Sequence, residues 1–381
     1  MNNIESPFVF GRKVTGESFT DRETETQRLL NNFNNRINTI LISPRRWGKS
    51  SLVKKAGNMA ENEGLTVLFI DAFSLRDPSE FYATLATGVL KATSGKIELW
   101  IDMVKRFLSR LTPKFSFGAD PLNSFELSFE LDEIEKGYRE ILDLPEKIAD
   151  EKNIRIVICI DEFQNTALFQ DSLLFHKRLR SAWQEHQQVT YCLYGSRQHM
   201  MAALFEKQSM PFYRFGENIF LEKIQMNDWI AFIRERFSAT GKNITDEMAS
   251  KIASTVDCHS YYVQQLSHLV WQRTYHTADD TIYNHACLDL LSQNEILYLR
   301  ETELLSETQL HFLKAVAAGI TENYNSKKVM SEYKMGTSAN ISKIKKALQE
   351  KEIIELSNNK IDFVDPVYKL WFKRKILKMD L

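Results

Sequence analysis

The residues best suited to chemistry run from Ser43 to Ser51, Ser-Pro-Arg-Arg-Trp-Gly-Lys-Ser-Ser, between the apolar run Thr39-Ile40-Leu41-Ile42 and a helical pattern over Ser50 to Glu61. Holding a phosphate chain takes backbone N–H groups turned inward from a tight loop, a helix N-terminus aimed at the negative charge, and a cation that reaches the outer phosphates. Pro44, Arg45, Arg46, Trp47, Gly48 and Ser51 would supply the loop and first turn. Lys49 would contact the β and γ phosphates, and the Ser50 hydroxyl would ligate magnesium. The segment departs from the general pattern GxxxxGK[ST] at Ser43, which must begin the loop without glycine's easy positive φ.

A second constellation ends the apolar run Ile154 to Ile160, where Asp161 and Glu162 follow directly. Behind a phosphate loop, an acidic residue at such a strand end supports magnesium, and a neighbouring glutamate can orient and polarise an attacking water. Asp161 then has the metal role, with Ser50, and Glu162 that of general base. Taken alone, two carboxylates after a strand are equally the mark of a helix cap. A third apolar run, Val189 to Tyr194, ends in Gly195-Ser196-Arg197. In folds where a strand lies between the phosphate-loop strand and the acidic strand, a polar residue at its tip senses the γ-phosphate. Ser196 or Arg197 could do so, the arginine through its permanent charge and planar fork.

Positioning these groups requires a parallel sheet. The three runs above, with Thr66 to Ile70, are short, rich in β-branched or aromatic residues and bounded by polar segments, as strands buried on both faces should be. Helical patterns separate them: Ser50 to Glu61, Ser79 to Ala92, Asp132 to Ala149 with a break expected at Pro145, and Ser172 to Glu185. The expected fold class is therefore α/β, a P-loop NTPase sheet with helices on both faces. Alternating residues in Phe115 to Phe117 and Ser124 to Leu131 predict an inserted hairpin near 115–131, turning over Gly118 to Asn123.

After about Ile224 the pattern becomes helical: Asn227 to Thr240, Thr245 to Val256, Ser260 to Tyr275 and Tyr283 to Glu301. From Ser306 it reads helix, short helix, a turn at Met335-Gly336-Thr337, helix Ser338 to Glu350, and two short strands around Asn358-Asn359, which is the winged-helix order. Three domains follow: a nucleotide core over 1–225, an all-α lid over 226–303 and a winged helix over 304–381.

Composition limits the partners. The 381 residues carry 49 Lys plus Arg against 50 Asp plus Glu, so no overall field draws nucleic acid or anionic membrane. No apolar run approaches the roughly 20 residues needed to span a bilayer, and the N-terminus lacks a signal-peptide core, so a cytoplasmic protein without membrane contact is expected. Cys159, Cys192, Cys258 and Cys287 form no CxxC pair, and the eight histidines show no zinc spacing.

The ordered set Phe19-Thr-Asp-Arg22-Glu23-Thr-Glu25, the Ser43 to Leu52 loop, Ile160-Asp-Glu-Phe-Gln164, Gly195-Ser196, His259-Ser-Tyr-Tyr-Val-Gln-Gln-Leu266 and Phe363-Val-Asp365-Pro366-Val-Tyr-Lys-Leu-Trp371 resembles the archaeal-type ATPases, relatives of the AAA+ and STAND ATPases. The resemblance spans nearly the whole chain. It implies ATP and Mg2+ as ligands, ATP hydrolysis, and a molecular switch that couples nucleotide state to the positions of lid and winged helix through an unidentified protein partner. It also implies an adenine site near Phe19 and Arg22 and a lid contact at His259-Ser260, where many relatives have His-Pro. Met210 to Arg214 is similar to a family segment but lacks its glycine-arginine order, so Arg214 is not assigned as an arginine finger. The competing reading is a DNA-binding regulator with a slow or structural nucleotide site. On Ile341 to Leu348, Ile341, Ile344 and Leu348 take the inner face, leaving Lys343, Lys345 and Lys346 as outward cations for at most weak DNA binding. Monomer and oligomer are both compatible with the sequence.

Overall fold

The computed structural model describes residues 5–11, 22–116, 125–357 and 360–379. The chain divides into two compact units, Asp21–Glu222 and Lys223–Leu381, the latter joined by the N-terminal segment.

The first unit is built on five strands. Along the chain come α1 (Glu23–Asn34), β1 (Thr39–Ile42), α2 (Lys49–Asn62), β2 (Thr66–Asp71), α3 (Pro78–Thr93), α4 (Ile97–Phe107), β3 (Lys114–Ser116), β4 (Glu126–Ser128), α5 (Leu131–Lys152), β5 (Ile156–Asp161), a 3-10 turn (Phe163–Leu168), α6 (Ser172–Trp183), β6 (Val189–Gly195), α7 (Gln198–Phe205) and β7 (Glu217–Phe220). The sheet order is β2-β5-β6-β1-β7, all parallel. Every residue of β1, β5 and β6 is buried, which is why these three read as unbroken apolar runs. The strand β6 lies between the phosphate-loop strand β1 and the acidic strand β5, as the sequence predicts. Register pairs Ile42 with Gly195 and Ile160 with Leu193, so the strand ends that carry the candidate residues lie within about one residue of level.

Besides the 3-10 turn and α7, for which the sequence pattern made no prediction, the main differences from the sequence expectation lie in α5, α4 and β7. Helix α5 continues through Pro145 instead of breaking there. A proline inside a helix forfeits one hydrogen bond, but Ile141, Leu142, Leu144, Ile148 and Ala149 are fully buried on both sides of it, and that packing keeps the two halves in one helix. Helix α4, which buries Trp100, Met103 and Val104, was not expected, and neither was the edge strand β7, of whose four residues only Ile219 is buried. The expected hairpin is present as the antiparallel pair β3 and β4, with Phe115 opposite Leu127. Its turn lies outside the described residues.

The second unit contains α8 (Met226–Ala239), α9 (Asp246–Thr255), α10 (Ser260–Arg273) and α11 (Asp280–Glu303), then α12 (Glu307–Ala317), α13 (Lys327–Glu332), α14 (Ser338–Glu350), the antiparallel strands β8 (Ile354–Ser357) and β9 (Lys360–Phe363), and α15 (Pro366–Lys375). The expected turn at Asn358-Asn359 lies outside the described residues. One continuous apolar core runs from Phe8, Trp229 and Phe237 through Tyr262 and Leu290 to Phe312, Ile344 and Trp371, so the lid-like helices and the winged helix share an interior. A buried polar knot reinforces it. The Tyr262 and Tyr298 hydroxyls both donate to Asp365 Oδ2, while Asp365 Oδ1 accepts from the backbone N–H groups of Val367 and Tyr368 and caps α15.

On α14, Ile341, Ile344 and Leu348 are buried as expected. The three lysines do not behave alike: Lys343 and Lys346 are exposed, whereas Lys345 is half-buried with Nζ 4.9 Å from the centre of the Tyr324 ring, and burial lowers its pKa. The outward cations on this helix are thus two of the three expected.

Candidate active site

The loop after β1 takes its turns at Arg46 (φ 64°) and Gly48 (φ 90°). Ser43 needs no left-handed backbone. It is buried, its N–H donates to Gly195 O at 3.4 Å and its hydroxyl to Pro44 O at 3.0 Å, so a serine serves where the general pattern has glycine. Gly48 caps α2, and a Cβ built there would meet nothing within 4 Å; the loop is open on that side, and the positive φ alone restricts the position to glycine. Pro44 is buried, Arg45 and Arg46 are exposed and Trp47 is half-buried. Leu52 and Val53, which follow in α2, are wholly buried. Ser51 is buried beside them.

Lys49, 8 % exposed, lies between the two carboxylates at the end of β5. Its Nζ is 2.7 Å from Glu162 Oε1 and 3.5 Å from Asp161 Oδ1. The Ser50 hydroxyl donates to Asp161 Oδ2 at 2.7 Å, and the Glu162 N–H to Asp161 Oδ1 at 2.9 Å. From β6, the Ser196 hydroxyl donates to Glu162 Oε2 at 2.9 Å and its N–H to the same atom at 3.3 Å. Two chain-distant segments, around Lys49 and Ser196, therefore converge on the Glu162 carboxylate.

The electrostatics separate the two acids. Burial would raise both. At Glu162 the Lys49 charge, with hydrogen bonds from Lys49, Gln164 and Ser196, outweighs burial and holds the carboxyl at about 2. At Asp161 burial prevails over Lys49 and Ser50 and leaves its pKa raised. Glu162 is thus the firmly ionised member of the pair.

Of the residues predicted from sequence, Lys49, Ser50, Asp161, Glu162 and Ser196 form this cluster. Arg197 follows at the N-cap of α7, half-buried, with Nη1 3.7 Å from Met200 Sδ. Arg22 caps α1 and pairs with Glu25 at 2.8 Å; Phe19 lies outside the described residues. In the second unit His259 is buried at the N-cap of α10, its ring 4.9 Å from that of Tyr262. Arg214 is exposed over the Tyr213 ring.

Sequence reasoning passed over Gln164. It sits in the 3-10 turn after Glu162, is 1 % exposed and donates its amide N–H to Glu162 Oε2. Glu162 itself takes a left-handed backbone (φ 49°), which folds the turn back so that Gln164 reaches the carboxylate two residues before it. That turn is secured by the Thr166 hydroxyl, 2.8 Å from both Phe163 O and the buried His176 Nε2. Local sequence does not single it out, since Gln164 is one of three successive polar residues, with Asn165 and Thr166, in the turn.

Among the described residues no helix is long and apolar enough to cross a membrane. The sequence matches none of the curated proteins. The fold is similar to that of a Walker-type ATPase of Pyrococcus abyssi, with a TM-score of 0.66 at 18% identity over 96% of this chain and 99% of that one. It is also similar to the Aeropyrum pernix ORC2 protein in its ADPNP-ADP complexes, with a TM-score of 0.52 at 13% identity over 99% and 98% of the two chains. Residues 296–374 match a winged helix domain family. Residues 19–266, which include the whole cluster around Glu162, match the ATPase domain found predominantly in Archaea, and the chain belongs to that family.

Proposed function

We propose that the protein is a Mg-dependent ATPase that works as a nucleotide switch, with its core, helical lid and winged helix at 1–225, 226–303 and 304–381. The observation that carries this reading is the single cluster in which Lys49, Ser50, Asp161, Glu162 and Ser196 meet at the nearly level ends of three parallel strands. Ligands of α/β sheets bind at such carboxyl ends.

In this reading the β and γ phosphates of ATP compete with Glu162 for Lys49, and the backbone N–H groups from Arg45 to Ser51, in the loop that Pro44 opens, orient the chain. Ser50 Oγ and Asp161 Oδ2 form a pair of hard oxygen donors 2.7 Å apart, a set that suits magnesium, and these two residues would hold it. Magnesium, when bound, would offset the charge on the phosphate oxygens. Glu162, ionised at neutral pH, takes the proton of the attacking water as that oxygen bonds to the γ-phosphorus and the bond to the ADP oxygen breaks. Ser196, on the strand between the loop and the acids, or Arg197 directly after it senses the γ-phosphate. Because lid and winged helix share one core, the second unit would answer the nucleotide as a body. The exposed Lys343 and Lys346 support weak, salt-sensitive DNA contact at most.

Phosphate release from Mg-ATP, paired with hydrogen exchange of residues 260–273 and 338–375 with and without ATP, tests both halves. Release with altered exchange is expected. Absence of release removes the enzyme, and unchanged exchange removes the switch.

A further inference from the structure

We propose that Gln164 positions the general base, holding Glu162 by Oε2 so that Oε1 is the oxygen that takes the proton from water. This rests on the hydrolytic reading above. The two carboxylate oxygens are held differently. Oε2 accepts from the Gln164 amide, the Ser196 hydroxyl and the Ser196 N–H, whereas Oε1 accepts from Lys49. A carboxylate oxygen with three fixed donors has little capacity left for a fourth partner. The oxygen whose one donor is also the phosphate ligand is released when the phosphates recruit that lysine.

The Gln164 amide is held in one orientation. Its Oε1 is buried and has no hydrogen-bond partner, so it carries an uncompensated desolvation cost. Rotating the amide by half a turn would exchange that orphan for an oxygen set against the Glu162 carboxylate, so the orphan is the lesser penalty and the N–H faces Glu162. Gly195 closes the other side: a Cβ there would lie 1.9 Å from Gln164 Oε1 and 2.9 Å from Met201 Sδ. The strand that carries Ser196 therefore passes directly against the amide that holds Glu162. A methyl group at Gly195 would displace Gln164 without touching any reacting atom.

The test is a double-substitution cycle read by steady-state phosphate release and by ATP titration calorimetry. Gln164→Ala should lower kcat about ten- to a hundred-fold, the scale of a misplaced catalytic group, while ATP affinity stays within about two-fold because neither residue belongs to the phosphate loop. Gly195→Ala should lower kcat similarly. In the double variant the second change should add nothing, since Gly195 acts through Gln164. Where Gln164→Ala is poorly folded by circular dichroism, Gln164→Leu keeps the bulk of the side chain, removes the donor and should show the same loss of kcat alone. Wild-type kcat in a folded Gln164 variant, or multiplicative losses in the double variant, overturns the positioning role and leaves the ATPase reading intact. Lack of phosphate release by the wild type overturns both.

Discussion

Lys49 Nζ lies 2.7 Å from Glu162 Oε1, so the cation best placed to grip the outer phosphates is also the ion-pair partner of the residue best placed to activate water. On the proposed reading, nucleotide binding and activation of the base are thereby linked through one side chain.

Removing that side chain should abolish detectable ATP binding. Lys49→Ala deletes the loop's closest cation and leaves Asp161 and Glu162, both largely buried, without their shared counter-charge. Calorimetric titration should show no heat of binding and thermal unfolding a lower midpoint. Wild-type affinity in this variant would remove the loop from the nucleotide site.

Asp161→Asn should act differently from any change at Glu162. The amide still meets the Ser50 hydroxyl but is a poorer magnesium ligand than a carboxylate. The magnesium concentration giving half-maximal turnover should rise about ten-fold or more. An unchanged magnesium dependence would mean that Asp161 only organises the loop.

The winged helix gives a graded expectation. Lys343→Ala with Lys346→Ala should weaken any DNA retention in filter binding at low salt and leave ATP turnover within about two-fold, because neither lysine belongs to the nucleotide cluster. Adding Lys345→Ala should reduce stability through lost packing on Tyr324 more than it reduces DNA retention. Tight binding at physiological salt would favour the regulator instead.

His176 gives a pH signature of the turn that carries Gln164. Burial holds its imidazole at about 4, below the ordinary 6.5. Since the folded value is the lower one, the unfolded chain takes up the proton first. The contribution to stability is complete above pH 6.5 and is lost as pH falls from 6.5 towards 4, by about 3 kcal/mol in all. Urea unfolding of His176→Gln should be less sensitive to pH over that window than the wild type. Parallel curves would show that His176 does not titrate with unfolding.

The sheet was legible because β1, β5 and β6 are buried on both faces and so are largely apolar, and a polar residue stands at or directly after the end of each, Ser43, Asp161 and Ser196. Edge strand β7 was not legible, since a four-residue strand with one buried side chain leaves no periodic trace. Pro145 misled because a local rule was outweighed by burial on either side of it. Within the site, Lys49, Ser50, Asp161 and Ser196 followed from phosphate chemistry and strand ends. Gln164 did not, because its position depends on the left-handed turn at Glu162 and on the bare Cα of Gly195 from a strand thirty residues on, and neither leaves a mark in local pattern.

The account is tested most directly by Glu162→Gln, assayed for ATP affinity by calorimetry and for turnover by phosphate release. Loss of the carboxylate frees Lys49 from its ion pair and removes the base, so ATP should bind at least as tightly as to the wild type while turnover falls by about a hundred-fold or more. Turnover near that of the wild type, with affinity intact, would contradict it.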